Sequence, residues 1–209
     1  MKGGVKDMSP VPNRMYNVLN PNATEFFGQP LYDTANYLAA GQNAVNFFAI
    51  PRGQGAFLIP AAGIGAAAAG VIKTYRDTNM DVAGFTPDKR WELVGMNWAI
   101  RKAADLITDE QDRKLIASNT WWHFRIGDKD VLYLPTVFVP CVNFTASTTW
   151  GAQSAHAMGG NAKLYMFTTP LTINQGERLS VTLEAGAPVA ITIASDITIM
   201  LHGTMQRAT

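Results

Sequence analysis

The sequence predicts a mainly β protein: an antiparallel β-sandwich, in the form of a single jelly roll of about eight strands with one short inserted helix. Three observations predict it. First, the C-terminal third carries short runs at 171–173, 179–183, 189–193 and 197–201 in which apolar residues alternate with small or hydroxylated ones, the period-two pattern of strands. Second, the connections between them are rich in Gly, Pro, Asn and Asp, as at Asn174-Gln175-Gly176, 184–188 and Ser195-Asp196, which supply the backbone angles that chain reversal needs. Third, strands do not alternate with helices anywhere in the chain, which argues against Rossmann and TIM architectures. An immunoglobulin-like sandwich satisfies the same pattern. Threonine on the second face of these strands suits a pleated surface that is core on one side and meets water or a neighbour on the other.

The elements follow in order. Residues 1–30 are punctuated by Pro10, Pro12, Pro21 and Pro30 and have no sustained periodicity. They read as an extended N-terminal arm. Its Met15, Tyr16, Val18, Leu19, Phe26 and Phe27 are too apolar for a disordered tail, so the arm is expected to lie on its own domain or on a neighbouring subunit. The sandwich domain occupies 31–209. Asn36 to Ala40 opens it, and 44–50 is its first firm strand, ended by Pro51-Arg52-Gly53. From Gly53 to Ile72 no charged residue occurs across 20 positions. The length suits a membrane span, but Ala, Gly and Pro60 dominate it, and its transfer energy falls short of a Leu/Ile/Phe span. A small-residue loop packed against a neighbour is the expectation, with membrane contact as the lesser alternative.

Asp77 to Asp81 reads as a turn in which Asp and Asn bond nearby backbone. Residues 90–100 form a strand with heavy side chains, central in its sheet, where Gly95 permits close packing or a bulge. Thr108 to Ile116 is the best helix: Thr108 and Gln111 have capping-box spacing, acids fill the first turn, and Arg113 and Lys114 lie towards the C-terminal end. Residues 121–126 and 131–134 flank the polar turn Gly127-Asp128-Lys129-Asp130 and predict a hairpin. Pro135 and Pro140 restrict 137–139 to an edge or bulged strand. A further strand at 142–145 leads into a long loop over 151–162.

Charged residues make up 16% of the chain against roughly 25% for globular proteins. A chain this poor in charge is expected to bury surface against other chains. Net charge is +1 with no Lys/Arg cluster, so no direct nucleic-acid contact is expected. Cys141 is the only cysteine, which excludes an internal disulfide; within 137–142 it reads as a small buried hydrophobe. The first residues lack the apolar core of a signal peptide, so the protein is expected to be made and kept in a cytoplasm until it is assembled or released.

No chemical motif survives its context. Gly63-Ile64-Gly65-Ala66-Ala67-Ala68, with Asp81 downstream, nominally fits a dinucleotide fingerprint, but Pro60 and a β-rich chain surround it where a βαβ unit is required. Asp77, Asn79, Asp81 and Asp88 resemble a calcium loop, but Val82 stands where glycine is needed and Asp88 is shorter than the closing Glu. His123, His156 and His202 are widely separated, without a second His at ligand spacing, and His123 is expected beside Trp122. No G-x-S-x-G occurs, so a serine-hydrolase elbow is unsupported. Asp105, Asp109, Glu110 and Asp112 form an acidic group that the helix dipole explains. Catalytic, cofactor and metal sites are therefore all expected to be none, and the chain is not expected to be an enzyme. Trp91, Trp98, Trp121, Trp122 and Trp150 could serve a carbohydrate platform; four of them lie in strands where burial is the default, which leaves Trp150 as the surface candidate.

Thr74-Tyr75-Arg76-Asp77-Thr78-Asn79-Met80, Phe124-Arg125-Ile126-Gly127-Asp128-Lys129, and Leu171-Thr172-Ile173-Asn174-Gln175-Gly176-Glu177 leading into Leu179-Ser180-Val181-Thr182-Leu183 resemble small virion proteins of bacterial viruses with a single jelly-roll fold. The likeness spans about Leu31 to Thr204. It implies a capsid or capsid-associated subunit, found in the virion, whose partners are copies of itself and other virion proteins. The alternative from another class is a carbohydrate- or receptor-binding sandwich module of a virus spike or tail.

Overall fold

The computed structural model describes residues 26–27, 30–54, 72–75, 77–85, 87, 90–102, 109–143 and 164–206. Its elements run β1 (Phe26–Phe27), β2 (Leu31–Tyr37), β3 (Ala44–Phe47), β4 (Arg90–Lys102), α1 (Asp109–Asn119), β5 (Thr120–Ile126), β6 (Lys129–Pro135), a 3-10 turn (Thr136–Phe138), β7 (Cys141–Asn143), β8 (Tyr165–Asn174), β9 (Leu179–Ala185) and β10 (Ser195–Gln206). They form a 4-stranded sheet in the order β3-β9-β5-β6 and a 6-stranded sheet built on the central pair β10-β4. In the larger sheet β1 and β2 lie end to end along one side of β10, and β7 and β8 along the far side of β4. Six strands thus occupy four rows, so the sandwich has four rows in each layer.

Connectivity identifies the arrangement. The antiparallel pairs β2·β10, β3·β9, β4·β8 and β5·β6 nest inside one another, and the two sheets are completed by β10·β4 and β9·β5. A ribbon of four strands rolled against the next four gives this pairing, the double Greek key of a single jelly roll. Among the described strands β7 alone pairs in parallel, with Trp98–Ile100 of β4.

The core lies between the sheets and follows the period-two pattern. Val45 and Phe47 of β3, Trp122 and Phe124 of β5, and Leu179, Val181 and Leu183 of β9 meet Trp91, Leu93, Met96, Trp98, Ile197, Ile199 and Leu201 of the opposite layer. Trp122 joins the layers, 6.4 Å from Trp98 and 5.5 Å from Phe47 between ring centroids. β4 is central as expected, and Gly95 sits at an irregularity where an added Cβ would stand 2.7 Å from the Tyr165 carbonyl oxygen. The predicted hairpin forms as β5 and β6 around Gly127-Asp128, with Gly127 at φ 58°.

Several elements differ from the sequence reading. β3 stops at Phe47 because Phe48 adopts φ 60°, a left-handed conformation fixed when Asp33 Oδ2 accepts its N–H at 2.7 Å. Asp33 points into the core from β2 and also accepts from Lys73 Nζ at 2.7 Å; both side chains are buried. Lys73 exchanges backbone bonds with Gly53 and Gln54, so this pair closes the base of the excursion between β3 and β4. Asp77 behaves as the turn reading required, its Oδ2 accepting from Thr74 N–H and Oγ1.

Helix α1 runs three residues past the expected end, so Arg113 and Lys114 stand in mid-helix and its last turn carries no basic residue. Asn119 Nδ2 and Thr120 Oγ1 donate instead to the Leu115 and Ile116 carbonyls. Residues 137–139 make no edge strand. A 3-10 turn forms there, and Thr136 Oγ1 is bonded to Thr120 Oγ1 inside the fold. Residues 189–193 are a connection and not a strand. Their polar groups bond elsewhere: Val189 O accepts from Tyr37 Oη, Ile191 N–H donates to Ala39 O, and Thr192 donates through N–H and Oγ1 to Asp112. Ser195 and Asp196, expected as a turn, begin β10.

Phe26 and Phe27, within the stretch read as an arm, pair with Met205 and Gln206. The segment centred on 55–71, the fingerprint-like glycines and residues 144–163, including Trp150 and His156, lie outside the described residues. Among the described residues no helix is long and apolar enough to cross a membrane.

Candidate functional site

The outer face of the 4-stranded sheet carries the densest arrangement of functional side chains. Strand alternation places them there: with Trp122, Phe124, Val181 and Leu183 turned inward, Trp121, His123, Arg125, Thr182 and Glu184 turn outward. Register then aligns Asn46, Thr182, His123 and Tyr133 in one row across all four strands. The neighbouring row pairs Trp121 with Glu184, and the next pairs Arg125 with Asp130.

His123 is the centre. Its Nδ1 lies 2.7 Å from Glu184 Oε1 and its Nε2 3.0 Å from Asp130 Oδ1. An ionised carboxylate only accepts, so a ring nitrogen that carries a proton donates to the carboxylate it faces. Trp121 Nε1 donates to the second oxygen of Glu184 at 2.9 Å, and Arg125 Nε lies 3.0 Å from Asp130 Oδ1. The Tyr133 ring stacks on the imidazole, 4.2 Å between centroids and 16° from parallel. Thr182 Oγ1 donates to Asn46 Oδ1 at 3.0 Å. His123 is largely covered, whereas Tyr133 is 55% exposed and the side chains of Asp130, Arg125 and Glu184 are 51%, 48% and 28% exposed. The result is a hydrogen-bonded polar floor with an accessible ring and accessible charges.

A second feature adjoins it. β6 is the edge of its sheet, and Val131, Tyr133, Val137 and Phe138 along β6 and the following turn are exposed, the last two by 60% and 65%. A bulge in the register between Phe124 and Arg125 leaves Val131 out of the pairing. Edge strands with outward apolar side chains template pairing with another chain.

The sequence readings are redistributed by this geometry. His123 is not beside Trp122; alternation sends the two to opposite faces, and Tyr133 is the ring against His123. Trp91, Trp98 and Trp122 are core, but Trp121, also expected there, faces outward with its N–H on Glu184. His202 lies within β10 at an irregularity, and burial holds its imidazole below the usual histidine range. Cys141 is partly buried and packs against the core, and burial pushes its thiol up to about 12. Asp112 is buried and holds the β9–β10 connection through Thr192. Among the described residues no group of three or more His, Cys, Asp or Glu is placed to hold a metal ion. The outer row escaped the sequence because its members are spread over 46–184. The one available signal was the polar alternation of Trp121, His123 and Arg125 within a hairpin strand.

No family model matches the chain, and neither a curated protein nor a solved structure matches it.

Proposed function

We propose that this chain is a structural subunit of a virion, a capsid or capsid-associated protein that assembles with copies of itself and with other virion proteins. Jelly rolls serve shells, lectins and cupins alike, so the fold does not select among them. The observation that carries the reading is the edge strand β6 with its continuation, where Val131, Val137 and Phe138 face outward. A low share of charged residues, 16%, supports it, because a surface poor in charge favours association. The sequence likeness of 74–80, 124–129 and 171–183 to single jelly-roll virion proteins points the same way. In this reading subunits meet through sheet edges and loops, and the N-terminal arm (1–30), of which Phe26 and Phe27 pair with β10, reaches a neighbour with the residues ahead of them and fixes the geometry. The contribution is mechanical; no reaction, cofactor or direct genome contact is part of it.

The test is the mass of the protein in solution by light scattering. The full chain forms a closed oligomer or shell. Val137→Ser with Phe138→Ser, and separately deletion of 1–25, reduce it to a folded monomer. An unaltered assembly in both variants, or a monomeric full chain at every concentration, overturns the reading.

A further inference from the structure

The outer row of the 4-stranded sheet has features that assembly through β6 does not require. Tyr133 is held by His123, flat against it at 4.2 Å, and by a side-chain hydrogen bond with Asp130, while the residue stays 55% exposed and no other ring among the described residues stacks on it. A ring held in place with one face open presents dispersion contact and a negative π-face to polarised C–H groups. Around it stand Asp130, Arg125 and Glu184, planar groups able to bridge adjacent hydroxyls bidentately. They are already oriented, Glu184 by Trp121 Nε1 and His123 Nδ1, Asp130 by His123 Nε2 and Arg125 Nε. Prior orientation lowers the entropy lost when a ligand is held.

We propose that this face binds a saccharide, with the apolar side of a pyranose ring stacked on Tyr133 and adjacent hydroxyls on Asp130, Glu184 and Arg125. Asp130 and Glu184 each present acceptor oxygens, which favours neutral or amino-substituted glycans over sulfated and sialylated ones. The site goes beyond assembly and gives a subunit or an appendage of a virion a means of holding a glycan.

The full chain is applied to an array of neutral, amino-substituted, sialylated and sulfated oligosaccharides, and the best-retained neutral or amino sugar is titrated by calorimetry. Tyr133→Ala weakens its binding at least about tenfold, the loss expected when a stacking ring is removed. Tyr133→Phe retains binding within about threefold because the ring stays. Glu184→Gln weakens it, and the Val137→Ser and Phe138→Ser pair leaves it unchanged. Tyr133 is exposed, so its variants keep the parental melting temperature, which verifies folding. Retention of acidic glycans alone, no retention of any neutral or amino sugar, or binding indifferent to Tyr133→Ala overturns the proposal. A Tyr133→Ala protein that loses assembly but binds no sugar before the change makes this face a subunit contact instead. Mass reads the assembly and heat reads the sugar, so the two proposals fail separately.

Discussion

Removing either half of the buried pair Asp33–Lys73 should destabilise the fold far more than an average surface change. The two charges lie 2.7 Å apart with side-chain exposures of 0% and 3%. At an effective dielectric of about 20 their attraction is of order 6 kcal/mol, which offsets part of the cost of taking both from water. Deleting one partner leaves that cost uncompensated, and about 3–5 kcal/mol is lost. Asp33→Asn keeps an oxygen for the Phe48 N–H but strands Lys73; Lys73→Met strands Asp33. The double variant buries no charge, so it should cost no more than either single change, giving a coupling of about 3 kcal/mol in a double-mutant cycle. pH separates the two. Burial outweighs the attraction of Lys73 and raises the Asp33 carboxyl above its ordinary value. The folded state therefore holds this proton to higher pH than the unfolded chain does. The contribution of the group to stability is full below the ordinary carboxylate value and falls as pH rises through the raised one. Lys73→Met removes a lowering influence, so its cost should be least in acid and grow towards neutrality. Urea denaturation followed by tryptophan fluorescence, at several pH values, reads all of this. Additive single effects, or either single variant within about 1 kcal/mol of the parent at neutral pH, would refute the reasoning.

Three further outcomes follow from packing. Gly203→Ala places a Cβ 2.3 Å from the Glu92 carbonyl oxygen and Gly95→Ala one 2.7 Å from that of Tyr165. Backbone has to give way at both, so each should lower stability by about 1–3 kcal/mol in the same urea assay. Trp98→Phe should cost about 1 kcal/mol more than Trp122→Phe, since Trp98 Nε1 donates to Val139 O at 3.0 Å while Trp122 Nε1 is buried without a partner among the described residues. Cys141, with its thiol raised to about 12, should resist a thiol reagent at neutral pH until denaturant unfolds the protein, because the thiolate is the reacting form.

Much of the fold was legible where one face is core. The 171–183 pair alternates in period two, 90–100 and the 120–135 hairpin carry heavy strand-forming side chains, and the Gly127 and Gly176 turns need the left-handed angles glycine supplies. The misreadings occur where local preference lost to tertiary contacts. The run 189–193 has strand composition, yet its backbone and hydroxyl serve α1 and β2; Val137 and Phe138 look like an edge strand, yet Thr136 is drawn inward to Thr120 and the chain coils. Phe48 ends β3 against all preference for its conformation because a carboxylate 15 residues earlier captures its N–H. The outer face was hidden for the same reason: a row of Asn46, Thr182, His123 and Tyr133 exists only once four strands are in register, and no spacing along the chain records it.

The most direct test of the central claim remains the solution mass of the full chain beside the Val137→Ser and Phe138→Ser variant. Assembly through the β6 edge predicts a large closed oligomer for the first and a folded monomer for the second. Equal masses for the two, whether both monomeric or both assembled, contradict it.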